Sequence, residues 1–370
     1  METNGMRSAI KHYQRGGIWL SAALLLLLLV AATGMTLTMT LTGTTEQLLW
    51  RQQFLAVQAK RDVAINNVIT QMYLPEKWPA NLPPAITKHV SHVQETRFND
   101  ADILSAHLSV QRSAGPFTQS REMDIVRFPL IMNVPAAPLV VFSHLHHQSG
   151  FTLYLQPSKQ NPAYRYSLWS SAPVLSASNR LTCETEVINL VHCKSSPLSS
   201  NNHRASDIVE NDTQLNIPIA HYLFASDLDG SSTDDYQKLA WVKATSCDSL
   251  PSPASFIWIT GHCRIRAKQM VGSSAAPVLL VIENGHLELE DQASIFGMVV
   301  SLRVNNQFSW KVKMAENTKI IGSLLVNHPT SSDSHFNVVY DHALLRQLQR
   351  SPALQQLAVI PGTEKPGTVK

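Results

Sequence analysis

The sequence predicts an α+β protein, with a long N-terminal transmembrane helix followed by a β-rich periplasmic domain that ends in a short β-solenoid-like stack. Three observations predict this: an uncharged run over residues 16–45, short strand-like runs after it, and a repeat near the C-terminus. The 370 residues accordingly divide into a basic leader (1–17), a helix (18–74), a β-rich domain (75–206), a β-solenoid-like domain (207–350) and a flexible tail (351–370).

The uncharged run is long enough to cross a membrane as a helix. About 20 apolar residues span a bilayer, and Ile18 to Leu41 exceeds that length without a charge. A cleaved secretory signal has a shorter apolar core, of about 7–15 residues. Arg7, Lys11 and Arg15 precede the run, and basic residues near a span stay in the cytoplasm. We therefore expect one pass through the inner membrane, with the chain after Glu46 in the periplasm.

The residues after the apolar run have helical periodicity. Apolar side chains spaced by three, four or seven residues lie on one helical face, and here they are Phe54, Val57, Ala64, Val68 and Met72. This predicts an amphipathic helix that continues the anchor and ends at the prolines after Leu74 and Trp78. Threonine alternates with Leu or Met over residues 36–42. A lone strand in lipid cannot satisfy its backbone, so we expect helix there too.

The leader ends in a basic residue and two glycines, Arg15, Gly16 and Gly17, directly before the apolar helix. This resembles the processing site of class III signal peptides in type IV pilins and minor pilins. The resemblance implies that a prepilin peptidase cuts after Gly16 or Gly17 and leaves the apolar segment on the mature chain. Major pilins have a glutamate at the fifth mature position, where this chain has Ser21 or Ala22.

Two blocks of sequence resemble the PilX group of pilus-assembly proteins. The first is "QRGGIWLSAALLLLLLV" with the later "RQQFLAVQAKRDVAIN", although Arg61 stands where the family usually has glutamate. The second comprises "FIWITGHC", "VLLVIENGHLELEDQASIFGMVV", "IIGSLLV" and "FNVVYD". The resemblance implies a minor-pilin-like assembly component of a type IV pilus or related envelope filament system, with a role in cell adhesion. Its partners would be other pilins and the inner-membrane pilus assembly machinery.

The four cysteines indicate an oxidising compartment. Cys183 and Cys193 are ten residues apart, and Cys247 and Cys263 are sixteen apart. We expect two disulfides between these sequential pairs, although four cysteines allow three pairings. Buried or free thiols are one alternative. Zinc is another, but structural zinc sites usually space cysteines two to four residues apart.

Short apolar runs separated by Pro, Ser and Asn clusters predict strands. They are Asp124 to Met132, Leu139 to Ser143, Phe151 to Leu155 and Tyr164 to Trp169. Farther on, "ASIFGMVV" aligns with "TKIIGSLLV", which places Gly297 over Gly322 with an offset of 25. A period of this size predicts stacked turns of a β-solenoid. The Asn284-Gly285 pair predicts a hairpin turn between its two flanking strands.

Two groups of residues are candidate metal sites. Oxygen side chains at alternate positions resemble a calcium loop, although Lys238 stands where an EF-hand has glutamate; they belong to Asp227, Asp229, Ser231, Thr233 and Asp235. The alternative is an acidic turn. His144, His146 and His147 form the densest histidine group, and on a strand His144 and His146 would share a face. We expect no cofactor other than calcium.

Composition and motifs narrow the function class. The net charge of +3 and pI near 8.6, with scattered Lys and Arg, give no support to nucleic-acid binding. The sequence contains no Gly-x-Ser-x-Gly, no His-Glu-x-x-His and no phosphate-binding glycine loop, so we do not expect an enzyme. Two alternatives to the pilin interpretation are a permanently membrane-anchored periplasmic binding module and an envelope hydrolase with dispersed catalytic residues.

Overall fold

The computed structural model describes residues 6–72, 89–98, 101–114, 117–155, 166–174, 179–185, 193, 197–224, 233–251, 254–304, 310–315 and 317–366. The chain forms two compact units. The first contains Met1–Val68, Ser109–Glu122 and Glu364–Lys370, and the second contains Ile69–Leu108 and Met123–Thr363. One long apolar N-terminal helix precedes a β-rich remainder, as the sequence predicted.

The helices are α1 (Met6–Met72), α2 (Ile219–Phe224), α3 (Thr233–Lys238) and α4 (His342–Gln349), with short 3-10 turns at Thr213–Leu215 and Pro352–Leu354. The strands are β1 (Val90–Phe98), β2 (Ala101–Ala114), β3 (Phe117–Pro129), β4 (Leu139–Val141), β5 (Gly150–Leu155), β6 (Leu168–Ser170), β7 (Arg180–Glu184), β8 (Ser199–Ser200), β9 (Ile208–Val209), β10 (Val242–Ala244), β11 (Phe256–Thr260), β12 (Cys263–Ile265), β13 (Met270–Val271), β14 (Val278–Glu283), β15 (Leu287–Leu289), β16 (Ser294–Leu302), β17 (Val312–Met314), β18 (Lys319–Val326), β19 (His335–Tyr340), β20 (Gln355–Val359) and β21 (Lys365–Pro366). Each of the four predicted runs between Asp124 and Trp169 overlaps a strand.

Helix α1 is continuous over 67 residues, which corresponds to about 100 Å at 1.5 Å per residue. It is described as far as Met72, and the predicted end at residue 74 lies outside the described residues. The alternating Thr36–Thr42 stretch is helical, and its hydroxyls bond to backbone carbonyls of the preceding turn. The helical expectation for this stretch is therefore confirmed.

An antiparallel sheet has the order β1-β2-β3-β20, and β21 also pairs with β3. Gln355 pairs with Pro129, and Val359 pairs with Ile125. The sequence predicted a flexible tail from residue 351, and this was wrong for the strand residues. Leu354 is fully buried and its carbonyl accepts a hydrogen bond from the Leu130 N–H, so this part of the chain is held by both packing and backbone pairing.

The largest sheet is mostly parallel, with the order β10-β11-β14-β16-β18-β19-β5-β7-β8 and β4, β6, β9 and β13 paired alongside. Within it, Gly297 pairs with Gly322 and Ser294 with Lys319, so the predicted offset of 25 residues is confirmed. Strands from residues 139–209 and from residues 242–340 belong to this same sheet. The predicted boundary at residue 206 therefore does not separate one sheet from another.

A second parallel sheet consists of β12, β15 and β17. Because β14 pairs only within the large sheet and β15 pairs with β12 and β17, the hairpin predicted at Asn284-Gly285 was wrong. Asn284 has a positive φ of 53°, and a Cβ on Gly285 would lie 1.7 Å from the Gly261 carbonyl oxygen. The chain turns a corner here from one sheet to the next.

Both faces of the large sheet are buried. One face packs against the small parallel sheet, where Leu280, Val299 and Leu324 share a core with Leu287 and Val312. The other face packs against the short helices; this second core joins Leu279, Val281, Met298, Val300 and Leu325 to Tyr222 and Leu223 of α2, Tyr236 of α3, and Leu345 and Leu348 of α4. Strands buried on both faces are continuously apolar, which explains the runs in β14, β16 and β18.

Candidate functional site

In the first half of α1, the stretch from Leu24 to Leu41 presents large apolar side chains to its surroundings in every direction. The large apolar residues from Leu24 to Leu41 are 57–73% exposed, and exposed apolar surface of this extent is unfavourable in water. Within the part of the chain that the structure describes, α1 is the single helix long and apolar enough to cross a membrane. The stretch from Leu24 to Leu41 is therefore suited to a lipid environment or to packing against other helices.

The threonines in this half do not interrupt its apolar character. The hydroxyl of Thr38 donates to the Gly34 carbonyl at 3.0 Å, and that of Thr42 donates to the Thr38 carbonyl at 2.9 Å. Bonds of this kind satisfy the hydroxyl donor within the helix itself. Since a polar group in lipid needs an internal partner, the threonines are compatible with membrane insertion.

The second half of α1 is amphipathic, as its periodicity predicted. Val57, Ala64 and Val68 are buried, with 1–7% of their surface exposed, and Ile65 beside them is 4% exposed. Phe54 is partly buried, and the side chains of Ile69 and Met72 lie outside the described residues. On the other side of the helix, Leu55 and Val63 are 52% and 59% exposed. This half therefore has one face packed within the protein and one free apolar surface.

Charged side chains connect α1 to the rest of its own unit. Arg61 donates to Asp62 at 2.9 Å, Arg121 of β3 approaches the same carboxylate at 3.5 Å, and Arg121 also pairs with Glu364. Arg61 is only 13% exposed, although the PilX resemblance would place glutamate there. Exposed ion pairs each contribute about 0–1 kcal/mol to stability. These ion pairs therefore orient the side chains more than they stabilise the fold.

Other predicted site residues are the two processing glycines and the four cysteines. Gly16 and Gly17 lie within α1, so a peptidase would need that turn unwound. Cys183 pairs with Cys193 and Cys247 with Cys263, at Cα–Cα distances of 5.5 and 4.8 Å. This is the sequential pairing that the sequence favoured, and it leaves no free cysteine among the four.

Neither candidate metal group forms a site in the described part of the chain. Asp227, Asp229 and Ser231 lie outside the described residues, while Thr233 and Asp235 lie in α3. The strand expected to carry the histidines, β4, ends at Val141, and the rings of His146 and His147 are 4.2 Å apart. Among the described residues, no three His, Cys, Asp or Glu side chains are placed to hold a metal ion.

A hydrogen-bonded serine and histidine lie inside the second compact unit, which contains most of the strands. The Ser301 hydroxyl and His328 Nε2 are 2.7 Å apart, and Nδ1 of the same ring is 3.0 Å from the Pro329 carbonyl oxygen. Both residues are fully buried, and burial lowers the pKa of His328 to about 4. The ring is therefore neutral at pH 7. Because its Nδ1 faces a carbonyl, the pair lacks the orienting carboxylate of a hydrolase triad and is not accessible to a substrate.

Sequence reasoning missed a column of rings at the corner between the two parallel sheets. His262 and His286 are stacked, with centroids 4.6 Å apart, and Trp310 meets His286 edge-on at 5.2 Å. The signal was present in the sequence: the three residues recur every 24 positions, and a Gly-His pair precedes both β12 and β15.

Comparisons of the chain with protein-family models, with curated proteins and with solved structures found no match. A functional proposal for this chain therefore depends on its own residues and on the sequence resemblances described above.

Proposed function

We propose that this chain is a minor-pilin-like structural or assembly subunit of a type IV pilus or related envelope filament system. The observation that carries the proposal is α1, a single helix with exposed large apolar side chains from Leu24 to Leu41 and a second half that packs on one face. A helix shared between lipid and a folded unit suits a protein that waits in the inner membrane and is later transferred into a filament. The Arg15-Gly16-Gly17 entry and the PilX-like block support this interpretation.

The helix has apolar surface left over beyond the length that a membrane covers. A bilayer requires about 20 apolar residues, which Ile18 to Leu41 supplies. Leu48, Leu49 and Trp50 lie beyond that stretch and are still 53–57% exposed. In our proposal they pack against equivalent helices of other pilins, with a head-to-tail contact that extends the filament.

The β-rich unit would lie in the periplasm. Its two disulfides suit an oxidising compartment, and the basic leader favours a cytoplasmic N-terminus. We infer further that the two parallel sheets are two faces of a short β-solenoid, in which each coil contributes one strand to each sheet. The uniform parallel register between β14, β16 and β18, and between β12, β15 and β17, supports this inference.

The test is the N-terminus of the mature protein. The full chain is expressed with and without a prepilin peptidase, extracted from membranes, and sequenced from its N-terminus. The proposal expects a new terminus directly after Gly16 or Gly17 only when the peptidase is present. An intact Met1 in peptidase-competent cells would contradict it and favour a permanently anchored binding module.

Matched glycine variants sharpen this experiment. Gly16→Val and Gly17→Val, made separately, should identify the cleaved bond, because only the variant at that bond should fail to give the new N-terminus. Gly34→Val is the control, since a Cβ at Gly34 meets no atom within 4 Å and the residue lies well inside the apolar run. Loss of processing in the control would indicate a general membrane-insertion defect.

A further inference from the structure

The column of rings at the sheet corner, formed by His262, His286 and Trp310, is called here the histidine corner. His262 follows β11, His286 precedes β15 and Trp310 precedes β17, so each ring belongs to a different turn of the chain. His262 and His286 are nearly parallel, with an interplanar angle of 14°, and Trp310 is inclined at 67° to both. None of the predicted or proposed activities uses this group.

Each histidine in the corner accepts a backbone hydrogen bond from the next turn. The His286 N–H donates to His262 Nδ1 at 3.0 Å, and the Lys311 N–H donates to His286 Nδ1 at 2.9 Å. A backbone N–H can only donate, so each Nδ1 must be unprotonated and each ring must carry its proton on Nε2. The corner is therefore assembled only from neutral histidines.

The same hydrogen bonds argue against a metal at this position. A metal needs an imidazole nitrogen with a free lone pair. Here Nδ1 already accepts a backbone N–H, and Nε2 carries the proton. Metal binding would require both rings to change tautomer and both backbone bonds to break, so protons are the better candidates for a ligand.

We propose that the histidine corner is an acid-responsive switch, in which protonation of His262 and His286 breaks the two backbone bonds and loosens the residues that donate them, His286 before β15 and Lys311 before β17. Protonation turns each Nδ1 from an acceptor into a donor that faces the backbone N–H. It also places two positive charges on rings whose centroids are 4.6 Å apart. The strands themselves remain paired through their own ladders. This inference does not depend on the proposed role in a filament.

The charged and titratable groups around the corner do not cancel this effect. Burial lowers the pKa of His286, and His262 and Lys311 lower it further, whereas Asp333 and Glu288 act in the opposite direction. Both carboxylates have cationic partners of their own, Lys311 at 2.9 Å for Asp333 and Arg264 at 3.9 Å for Glu288. Nearby His328 is buried, and the charges of Arg303 and His286 lower its pKa further. The groups around the corner therefore favour the neutral form of His286.

The two acceptor bonds make separate predictions for two amides. Hydrogen exchange of the full chain in detergent micelles is measured at pH 7.5 and pH 5.5 and corrected for the intrinsic pH dependence of exchange. Burial lowers the pKa of His286, so at pH 5.5, one unit below the pKa of about 6.5 for a free histidine, protection of the Lys311 amide should fall by up to about tenfold. Protection of the His286 amide, which donates to His262 Nδ1, should fall as well. The His286 amide reports on His262, and the Lys311 amide reports on His286.

Asparagine variants test the assignment, because their side-chain oxygen can accept the same N–H but does not titrate. His262→Asn should remove the pH response of the His286 amide, and His286→Asn that of the Lys311 amide. His203→Asn, an exposed histidine elsewhere, should leave both responses unchanged. The Leu279 amide, which donates to the Ser255 carbonyl, serves as a reference within the chain.

Two results would overturn the switch. One is wild-type protection of the His286 and Lys311 amides that does not change between pH 7.5 and 5.5. The other is a pH response that survives both asparagine variants. Should a variant fail to fold, ¹⁵N-histidine NMR of the wild-type chain decides instead, because a proton on Nδ1 of either ring at pH 7.5 contradicts the required tautomer.

Discussion

At the scale of single residues, His328 couples stability to pH. Its pKa is lowered to about 4 in the folded protein, against about 6.5 for an unperturbed histidine. Between these values the unfolded chain binds more protons than the folded chain. The free energy of unfolding should therefore be highest above about pH 6.5 and should fall as the pH approaches 4. The difference corresponds to a loss of roughly 3 kcal/mol. Urea unfolding between pH 7.5 and pH 4 measures it.

The control for this prediction separates His328 from other titrating groups. His328→Gln cannot titrate, so the slope of unfolding free energy against pH should flatten by most of the predicted amount, even if the variant is less stable at pH 7.5. His203→Gln changes an exposed histidine and should keep the wild-type slope. An unchanged slope in His328→Gln would assign the pH dependence to other residues.

Gly322 is a second residue with a specific requirement. Its φ is +134°, and a Cβ would lie 1.9 Å from the carbonyl oxygen of Gly297 on the neighbouring strand. Gly322→Ala therefore combines backbone strain with a clash against backbone that cannot rotate away, and we expect a cost of at least about 3 kcal/mol in unfolding free energy. Gly362→Ala is the matched control, since φ is +80° but no atom lies within 4 Å; about 1 kcal/mol is expected there.

The sequence predicted some of these residues and missed others. Gly297 and Gly322 were found because an identical pattern surrounds both at one offset. The sequence favoured the sequential cysteine pairing that the structure shows, but it could not choose among the three possible pairings. Ser301 and His328 could not have been paired, because they lie 27 residues apart and a buried hydrogen bond leaves no periodic pattern. The histidine corner did leave one, but its period of 24 was hidden by the change from histidine to Trp310.

At the scale of elements, the Cys247–Cys263 disulfide holds the segment after β10 to the edge strand β12. Closing a loop of this length should stabilise the fold by about 3 kcal/mol in the chain-entropy model. Cys247→Ser with Cys263→Ser should lower the unfolding free energy by that order. Differential scanning fluorimetry with and without dithiothreitol supplies the comparison. Reductant should destabilise the wild-type chain more than this variant, which retains Cys183–Cys193, and equal effects on both would mean that this disulfide contributes nothing.

The sequence predicted the elements that follow from local residue patterns. It missed the elements that depend on which distant strands pair with each other. The amphipathic second half of α1 and the strands β3 to β6 follow from periodicity and from turn residues. The Asn284-Gly285 turn resembles a hairpin locally, yet the strands on its two sides pair in different sheets, and Gly285 lies too close to the Gly261 backbone to accommodate a Cβ. Likewise, β20 has no apolar alternation that distinguishes it from a tail, and it is a strand because β3 offers a free edge.

At the scale of the whole chain, the large sheet is not built in sequence order. One half of β18 pairs with β19 and the other half with β4. From there β19 and the strands of residues 139–209 extend the sheet in one direction, while the strands of residues 242–302 approach β18 from the other. The repeat is visible only in the second group, where the spacing is regular. In the first group the spacings from β4 to β6 and from β6 to β9 differ, so no period could be read.

This arrangement makes the C-terminal strand essential to the antiparallel sheet, because β3 pairs with β20 across more than 200 residues of intervening chain. Deletion of residues 355–370 should remove that pairing together with the Ile360 N–H bond to the Asp124 carbonyl and the Asp124 N–H bond to Thr363. Deletion of residues 367–370 spares all of them and is the matched control. Hydrogen exchange should then show faster exchange of the β3 amides in the long deletion alone, with β14, β16 and β18 still protected by their own parallel ladders. Uniform loss of protection would show instead that the two sheets unfold as one cooperative unit, and unchanged β3 protection would show that β20 contributes little to it.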